Sequence, residues 1–383
     1  MGKLIPKIIN AANNIYNEAL MLKVHYGVVK HYHMLMKKNK ISNTYVDGER
    51  DYIEKWKRLY PKVAVEDYRL FSHYIGADIN IVPEAISHNI VEAILNPMEH
   101  RAYYTDKNMF DKIMPDGFLA PTILRRINGF FFDKDYCSCP EPDLERLLDG
   151  YERIVVKPTV DSSSGHGVTI FQRDGKDFTA LNGGMKDKIL TIPRLIEFFG
   201  KNLIVQKCFQ QSPFMAHFCD TCVNTIRLCV YRSVSNDEVV IPASIMRLGH
   251  KGAYVDNNHA GGVSIGVFPD GRLNTYSTDQ YGQRYTKVNG LDFEKEQYVI
   301  PNFNKIIDFA KEVGKNLIHC RLSNIDVMID ECGKPHLIEY NLNSMSTWLY
   351  QFDCGVAYGQ YADEIIDYCA FHLNDAKHVR IEY

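Results

Sequence analysis

Through residues 1–60, Ile, Leu, Val and Tyr recur at helical spacing with no strong breaker between Lys7 and Lys40, which predicts a helical N-terminal region. Residues 61–120 read as short helices and turns, ending in Pro115-Asp116-Gly117 and Ala120-Pro121, which lead into a strand. From about residue 121 the texture turns α/β. Strands are predicted over 153–160, 202–209, 222–233 and 238–249, and a short helix over 191–200. A hairpin is predicted over 261–278 around Pro269-Asp270-Gly271. Residues 303–317 form an amphipathic helix with Phe303, Ile306, Ile307 and Ala310 on one face. A second hairpin covers 326–344 and a helix 360–374.

The second hairpin, DVMIDECGKPHLIEYNLNS, breaks its own apolar pattern: Glu339, Asn341 and Asn343 alternate along its second strand. A turn centred on Cys332-Gly333 sets Asp330 opposite Pro335, and counting back sets Asp326 opposite Glu339. Directly opposed residues share a face with Cβ atoms ~4.5–5.5 Å apart. Asn341 joins that face, while Ile325, Val327, Ile329, Ile338 and Tyr340 take the other. Two carboxylates so close repel by about 3–4 kcal/mol at an effective dielectric of 20. A hard divalent cation such as Mg²⁺ reverses that sign. A solvated acidic face is the alternative.

Two further features point to anions. Lys157 ends an apolar strand and is followed by the small-residue loop DSSSGHG at 161–167, whose backbone N–H groups could close around phosphate oxygens. The spacing is neither a Walker loop nor a dinucleotide fingerprint, and a flexible hairpin tip is equally compatible with it. Arg227, inside the apolar run CVNTIRLCVYR, needs a partner if buried: a phosphate or a core carboxylate. Strict alternation sets Asn224 on the opposite face from Arg227.

Composition narrows the class without naming the chemistry. The 383 residues suggest two or three lobes, and 45% hydrophobic with 24% charged residues is an ordinary globular balance. A net charge of −3 gives no reason to expect nucleic acid. No apolar run approaches a membrane span, and the N-terminus lacks a secretory pattern. Ten scattered cysteines suit a reducing cytosol. Cys137/Cys139 and Cys219/Cys222 do not have a usual zinc spacing. The lysine-rich segment through Lys40, with His25, His31 and His33, reads either as a basic helix resting on an anionic membrane or as the solvated face of a packed helix.

The order of these features is more specific than any one of them. DKNMFDKIMPDGFLAPTIL, VVKPTVDSSSGHGV, LIVQKCFQQ, VNTIRL, AGGVSIGVFPDG, HLIEYNLNS and CGVAYGQYADEIIDYC run from about residue 70 to 370. Together they resemble the ATP-grasp superfamily. More narrowly, they resemble the ATP-grasp proteins associated with sugar transfer in surface or capsular polysaccharide biosynthesis, teichuronopeptide-biosynthesis-like proteins among them.

The resemblance implies an α+β ATP-grasp fold, two lobes clasping ATP, preceded by helices. It divides the chain into a helical region 1–62, a mixed α/β lobe 63–120 and an ATP-grasp domain 121–383, with small lobe 121–205 and large lobe 206–383. It implies that Lys157 contacts the α/β-phosphates under a loop containing Ser163, Ser164, Gly165, His166 and Gly167. An upstream lysine, Lys107 or Lys112, would add a second contact. Gln206, Lys207, Cys208 and Phe209 would read adenine, although a Glu often stands where this chain has Gln206 or Lys207. Arg227 would stabilise the transferred phosphoryl group, and Asp326, Glu339 and Asn341 would hold Mg²⁺, with Asn341 also facing the nucleotide. His166 and His259, beside glycine-rich turns, are candidates for substrate contact or for loop capping.

The activity implied is a carboxylate–amine ligase that activates an acid as an acyl phosphate. Its partners would be ATP, a small or sugar-linked carboxylate and an amine. The setting would be the cytoplasm, with peripheral membrane or glycan-assembly contact through the basic helix. A kinase acting on a hydroxyl and a catalytically silent nucleotide-binding subunit are the competing readings.

Overall fold

The computed structural model describes residues 4–160 and 167–377. Two antiparallel sheets carry the chain beyond residue 121. The first contains β1 (Thr122–Ile127), β2 (Phe130–Asp133), β3 (Arg153–Pro158), β4 (Thr169–Asp174), β5 (Asp177–Ala180) and β6 (Leu203–Lys207), ordered β2-β1-β6-β3-β4-β5. The second begins with β7 (Thr225–Arg232), β8 (Val239–Leu248), β9 (Val263–Val267), β10 (Leu273–Thr278) and β11 (Arg284–Tyr285). A separate pair follows, β12 (Lys287–Val288) with β13 (Leu291–Asp292). Then β14 (Leu322–Ile329) and β15 (Pro335–Asn341) complete the order β11-β10-β9-β8-β7-β14-β15.

Period-two alternation assigns the faces of the first sheet. Ile154, Val156, Phe171, Leu203 and Val205 form a small core with Leu195 of the helix Ile192–Phe199. That helix starts where Thr191 caps the N–H of Arg194 and Pro193 fixes the first turn. The alternate residues Val155, Lys157 and Ile170 face the second sheet.

One face of the second sheet is covered by the helix Phe303–Asn316, whose Phe303, Ile306, Ala310 and Val313 pack on Ile226, Leu228, Val230, Ile325 and Val327. The other face is divided along its length. At one end Cys229, Tyr231, Ile245 and Leu322 are buried under N-terminal helices. At the other end Thr225, Arg227, Arg247 and Asp326 are left for a cleft.

The N-terminal helices therefore share a core with the second sheet instead of forming a lobe of their own. Tyr52, Trp56, Tyr68 and Phe71 pack in one cluster with Tyr231, Tyr350 and Phe352. The mixed α/β lobe expected over 63–120 is corrected to helix: Val65–Ile75 and a series of short turns lie there, with no strand among the described residues. Residues Ser87–Val91 form a π-helical turn, which no propensity announces. The first helix runs Leu4–Lys38. Tyr32, Leu35 and Met36 anchor it, while Ile5, Ile8, Ile15 and Tyr16 stay exposed. No helix among the described residues is long and apolar enough to cross a membrane.

Candidate active site

A cleft of about 510 Å³ lies between the two sheets. Its first wall is apolar with a cationic end. Val155, Val168 and Ile170 line it beside Lys207, Cys208 and Phe209, with Met328 and Ile338 across from them. Phe209 stacks on His336 at 4.2 Å, and His336 Nε2 lies 2.8 Å from Asp330 Oδ2, so the hinge segment is fastened to the second sheet. Such a slot, apolar on both faces with backbone along one edge, suits a flat heteroaromatic ring.

Lys157 follows Val155 on the same face of β3 and is 9% exposed. Burial, then the charge of Lys107, lowers its ammonium pKa to about 8. No carboxylate ion-pairs with it among the described residues. Lys107 also lines the cleft and pairs with Glu339 at 3.3 Å. Lys112 instead lies 4.3 Å over the ring of Tyr136. A buried lysine with a second lysine beside it favours a polyanion.

The opposite wall carries balanced charge. Arg227 donates from Nε and Nη2 to the two oxygens of Asp326, both at 2.7 Å. Arg247 reaches Asp326 Oδ2 at 3.2 Å and Asp256 at 3.0 Å. Asp256 in turn accepts from the backbone N–H of Thr225 at 2.9 Å and from its hydroxyl. Burial opposes ionisation of Asp326, but Arg227 and Arg247 outweigh it and hold its carboxyl below the usual range. Arg227 is likewise held up by Asp326 against the effect of burial. Arg247 and Asp256 are not singled out by the sequence reading, although an arginine inside the run IPASIMRLG gives the same signal that singled out Arg227.

The hairpin reaches the expected pair by an unexpected route. Asp326 does stand opposite Glu339, Ile325 opposite Tyr340 and Asn324 opposite Asn341. At the turn, however, Ile329 and not Asp330 is opposite Pro335, and a bulge between Asp326 and Val327 absorbs the difference. The bulge moves Ile338 from the core face to the cleft. Ile325, Val327, Ile329 and Tyr340 remain in the core.

The remaining candidates fall on both sides of the cleft boundary. Glu339, Asn341, Asn343 and His259 line it. Gln206 turns away, donating to the carbonyl of Ala120 at 3.2 Å. Gly167 sits at φ +80°, where an added Cβ would meet Pro158 at 2.7 Å. Ser163, Ser164, Gly165 and His166 lie outside the described residues. Asn224 is buried and structural, donating to the carbonyls of Met215 and Cys219 at 2.9 Å each. The Cys219 and Cys222 sulfurs are 3.6 Å apart, and no group of three His, Cys, Asp or Glu able to hold a metal occurs among the described residues.

The hairpin face offers Mg²⁺ an incomplete set of oxygens. Both Asp326 oxygens are committed to arginines, but Glu339 ion-pairs only with Lys107 among the described residues and is 26% exposed. Asn341 Nδ2 is buried with no partner among the described residues. Turning that amide over would put an unsatisfied oxygen there, the atom a hard cation seeks. Glu339 fits the ion, Asn341 fits with its amide turned over, and Asp326 fits once an arginine is drawn to a competing anion.

The sugar-transfer associated ATP-grasp family matches this chain over residues 90–359, and the chain belongs to that family. No curated protein matches it. Among solved structures, the chain is similar to the MgADP-bound biotin carboxylase domain of the Hydrogenobacter thermophilus 2-oxoglutarate carboxylase. The identity is 12%, with 76% of this chain and 49% of that one covered and a TM-score of 0.40. It is also similar to D-alanine–D-alanine ligase from Bacillus anthracis, with 15% identity, 73% of this chain and 72% of that one covered and a TM-score of 0.41. The chain spans about half the length of the biotin carboxylase domain.

Proposed function

We propose that the protein is an ATP-dependent carboxylate–amine ligase that forms an amide on a uronic acid or similar acid in surface-polysaccharide biosynthesis. The observation that carries the reading is the pairing of the two walls. A buried Lys157, with no carboxylate ion-paired to it among the described residues and Lys107 beside it, faces the Glu339–Asn341 edge and the Arg227–Asp326 pair across one cleft, in a chain of the sugar-transfer associated ATP-grasp family.

Under this reading the adenine lies in the slot of Val155, Ile170, Lys207, Cys208, Phe209, Met328 and Ile338. Lys157 and Lys107 bind phosphate oxygens. Mg²⁺ held by Glu339, Asn341 and Asp326 would neutralise charge on the phosphoryl oxygens. Arg227 stabilises the transferred phosphoryl group. An acid carboxylate oxygen attacks the γ-phosphorus and ADP leaves; the amine then attacks the acyl carbon, expels phosphate and loses a proton. Positioning and charge neutralisation supply most of the rate. The setting we propose is the cytoplasm, and the exposed apolar residues and lysines of Leu4–Lys38 support a peripheral contact with a membrane or a glycan-assembly partner.

Hydroxylamine trapping tests the ligase step. Incubated with ATP, Mg²⁺, a panel of uronic acids and hydroxylamine, the enzyme is expected to yield a hydroxamate with release of ADP. ADP release on a neutral sugar without hydroxamate would assign the chemistry to a kinase.

A further inference from the structure

Asn343, the last member of the polar row that begins at Glu339, has no place in the nucleotide site. It lines the cleft beyond Asn341, and its Oδ1 accepts from Arg101 Nη1 at 3.1 Å. Arg101 lies on the helix Met98–Thr105, outside every stretch singled out above. It is half-buried, and its Nε is buried with no acceptor among the described residues.

Arg101 differs from the other two arginines near this cleft. Arg227 and Arg247 are committed to Asp326 and Asp256. No carboxylate ion-pairs with Arg101 among the described residues. Glu92, the acid whose charge acts on it most, is already engaged. Its oxygens accept from the backbone N–H groups of Ser344 at 2.6 Å and Met345 at 3.0 Å, and it is 1% exposed.

The loop beside Arg101 is built and held. Ser344 and Ser346 both adopt left-handed backbone, φ 57° and 51°, which costs a non-glycine residue about 1–3 kcal/mol. Glu92 ties down the N–H groups of residues 344 and 345, and Glu84 accepts from the N–H of Thr347 at 3.0 Å. Both acids flank the π-turn Ser87–Val91, which thus sits beneath the loop. Ser344, Ser346 and Trp348 line the cleft. Hydroxyls and an indole beside a planar cationic fork match a hydroxylated ring that bears a carboxylate.

We propose that Arg101 and Asn343 form the subsite that binds the carboxylate of the acceptor, with Ser344, Ser346 and Trp348 against its sugar ring. The inference rests on the ligase reading for the role of that carboxylate, but the binding it asserts can be measured alone. Arg101 and Asn343 then bind the acid at the rim, beside the Glu339–Asn341 edge where the phosphoryl group is transferred.

Trp348 supplies the signal. The chain has two tryptophans, and Trp56 is 0% exposed, with its Nε1 donating to the Ile79 carbonyl at 3.1 Å. D-glucuronate and D-galacturonate are titrated into the full chain in the presence of MgADP, with D-glucose as the neutral control and tryptophan emission as the readout. The expected result is a saturable change with at least one hexuronate and not with glucose. Arg101→Ala should raise the hexuronate Kd about tenfold or more, and Arg101→Lys should recover part of the loss. Affinity for ADP should be unchanged in both variants. Equal binding of glucose and hexuronates, no saturable response to either hexuronate, or wild-type affinity in Arg101→Ala would overturn the subsite. Arginine-dependent hexuronate binding without hydroxamate formation would keep the subsite and remove the ligase reading.

Discussion

The two walls of the cleft solve the problem of buried charge in opposite ways. On the second sheet, Arg227, Arg247, Asp326 and Asp256 neutralise one another through hydrogen bonds of 2.7–3.2 Å. On the first sheet, burial and the charge of Lys107 act against the Lys157 ammonium more strongly than Glu339 and Cys208 support it, and no carboxylate ion-pairs with it among the described residues. A closed network contributes to the fold and can be dismantled only at a cost, whereas an open charge is tolerated because something else supplies its partner. The difference separates a wall whose charges are already matched, and must re-pair when a ligand binds, from a wall whose charge waits for one.

The largest effect should follow from opening the closed wall. Asp326→Ala leaves two buried guanidinium groups with no common partner and should cost about 3–5 kcal/mol of stability, read as a lower urea midpoint at constant m value. Midpoints within error of wild type would mean that the arginines find other partners and that the wall is not a network.

The matching change on the open wall should have the opposite sign. Lys157→Met removes an uncompensated charge and should raise stability at pH 7 by about 1–3 kcal/mol while weakening ATP binding. A destabilised variant would mean that Lys157 has a partner in the free protein. The pH dependence follows from the same residue. Its folded pKa is near 8 and its ordinary value is 10.5, so between them the unfolded chain binds more protons. Stability of the wild type should therefore rise with pH across that window, and Lys157→Met should flatten the rise.

A smaller structural effect with a large functional one is expected at Glu339. Its side chain is 26% exposed and its ion pair among the described residues is with Lys107 alone, so Glu339→Ala should keep the thermal midpoint within a few degrees of wild type. Mg²⁺-dependent ATP turnover should be lost. Turnover that survives at saturating ATP with normal Mg²⁺ dependence would remove Glu339 from the metal site.

What was legible in the sequence follows the same division. Alternation along β3 and β14 places Lys157 and Asp326 on faces opposite their apolar neighbours, and the structure keeps them there. The pairing of Asp326 with Glu339 was also readable, although the bulge that moves Ile338 was not. A bulge changes register without changing composition, so counting from the turn gave the right pair through two offsets that cancel. The closed wall was half visible. Arg227 demanded a partner, and a core carboxylate was one of the two options, but nothing in the sequence named Asp326 as that carboxylate. The merging of the N-terminal helices with the second sheet was hidden, because amphipathic spacing reports that a face is buried and not what buries it. Arg101 was hidden for the same reason: its interest lies in which carboxylates are already engaged, a property of the assembled fold.

The central claim is that Lys157, with which no carboxylate ion-pairs among the described residues, regains its charge when a polyphosphate enters. Calorimetric titration of MgATP at pH 9, in two buffers of different ionisation enthalpy, tests it directly. Phosphate oxygens should restore the charged ammonium, so the wild type should take up about one proton per nucleotide and Lys157→Met none. Equal proton uptake in the two proteins, or none in either with equal affinities, would contradict the account.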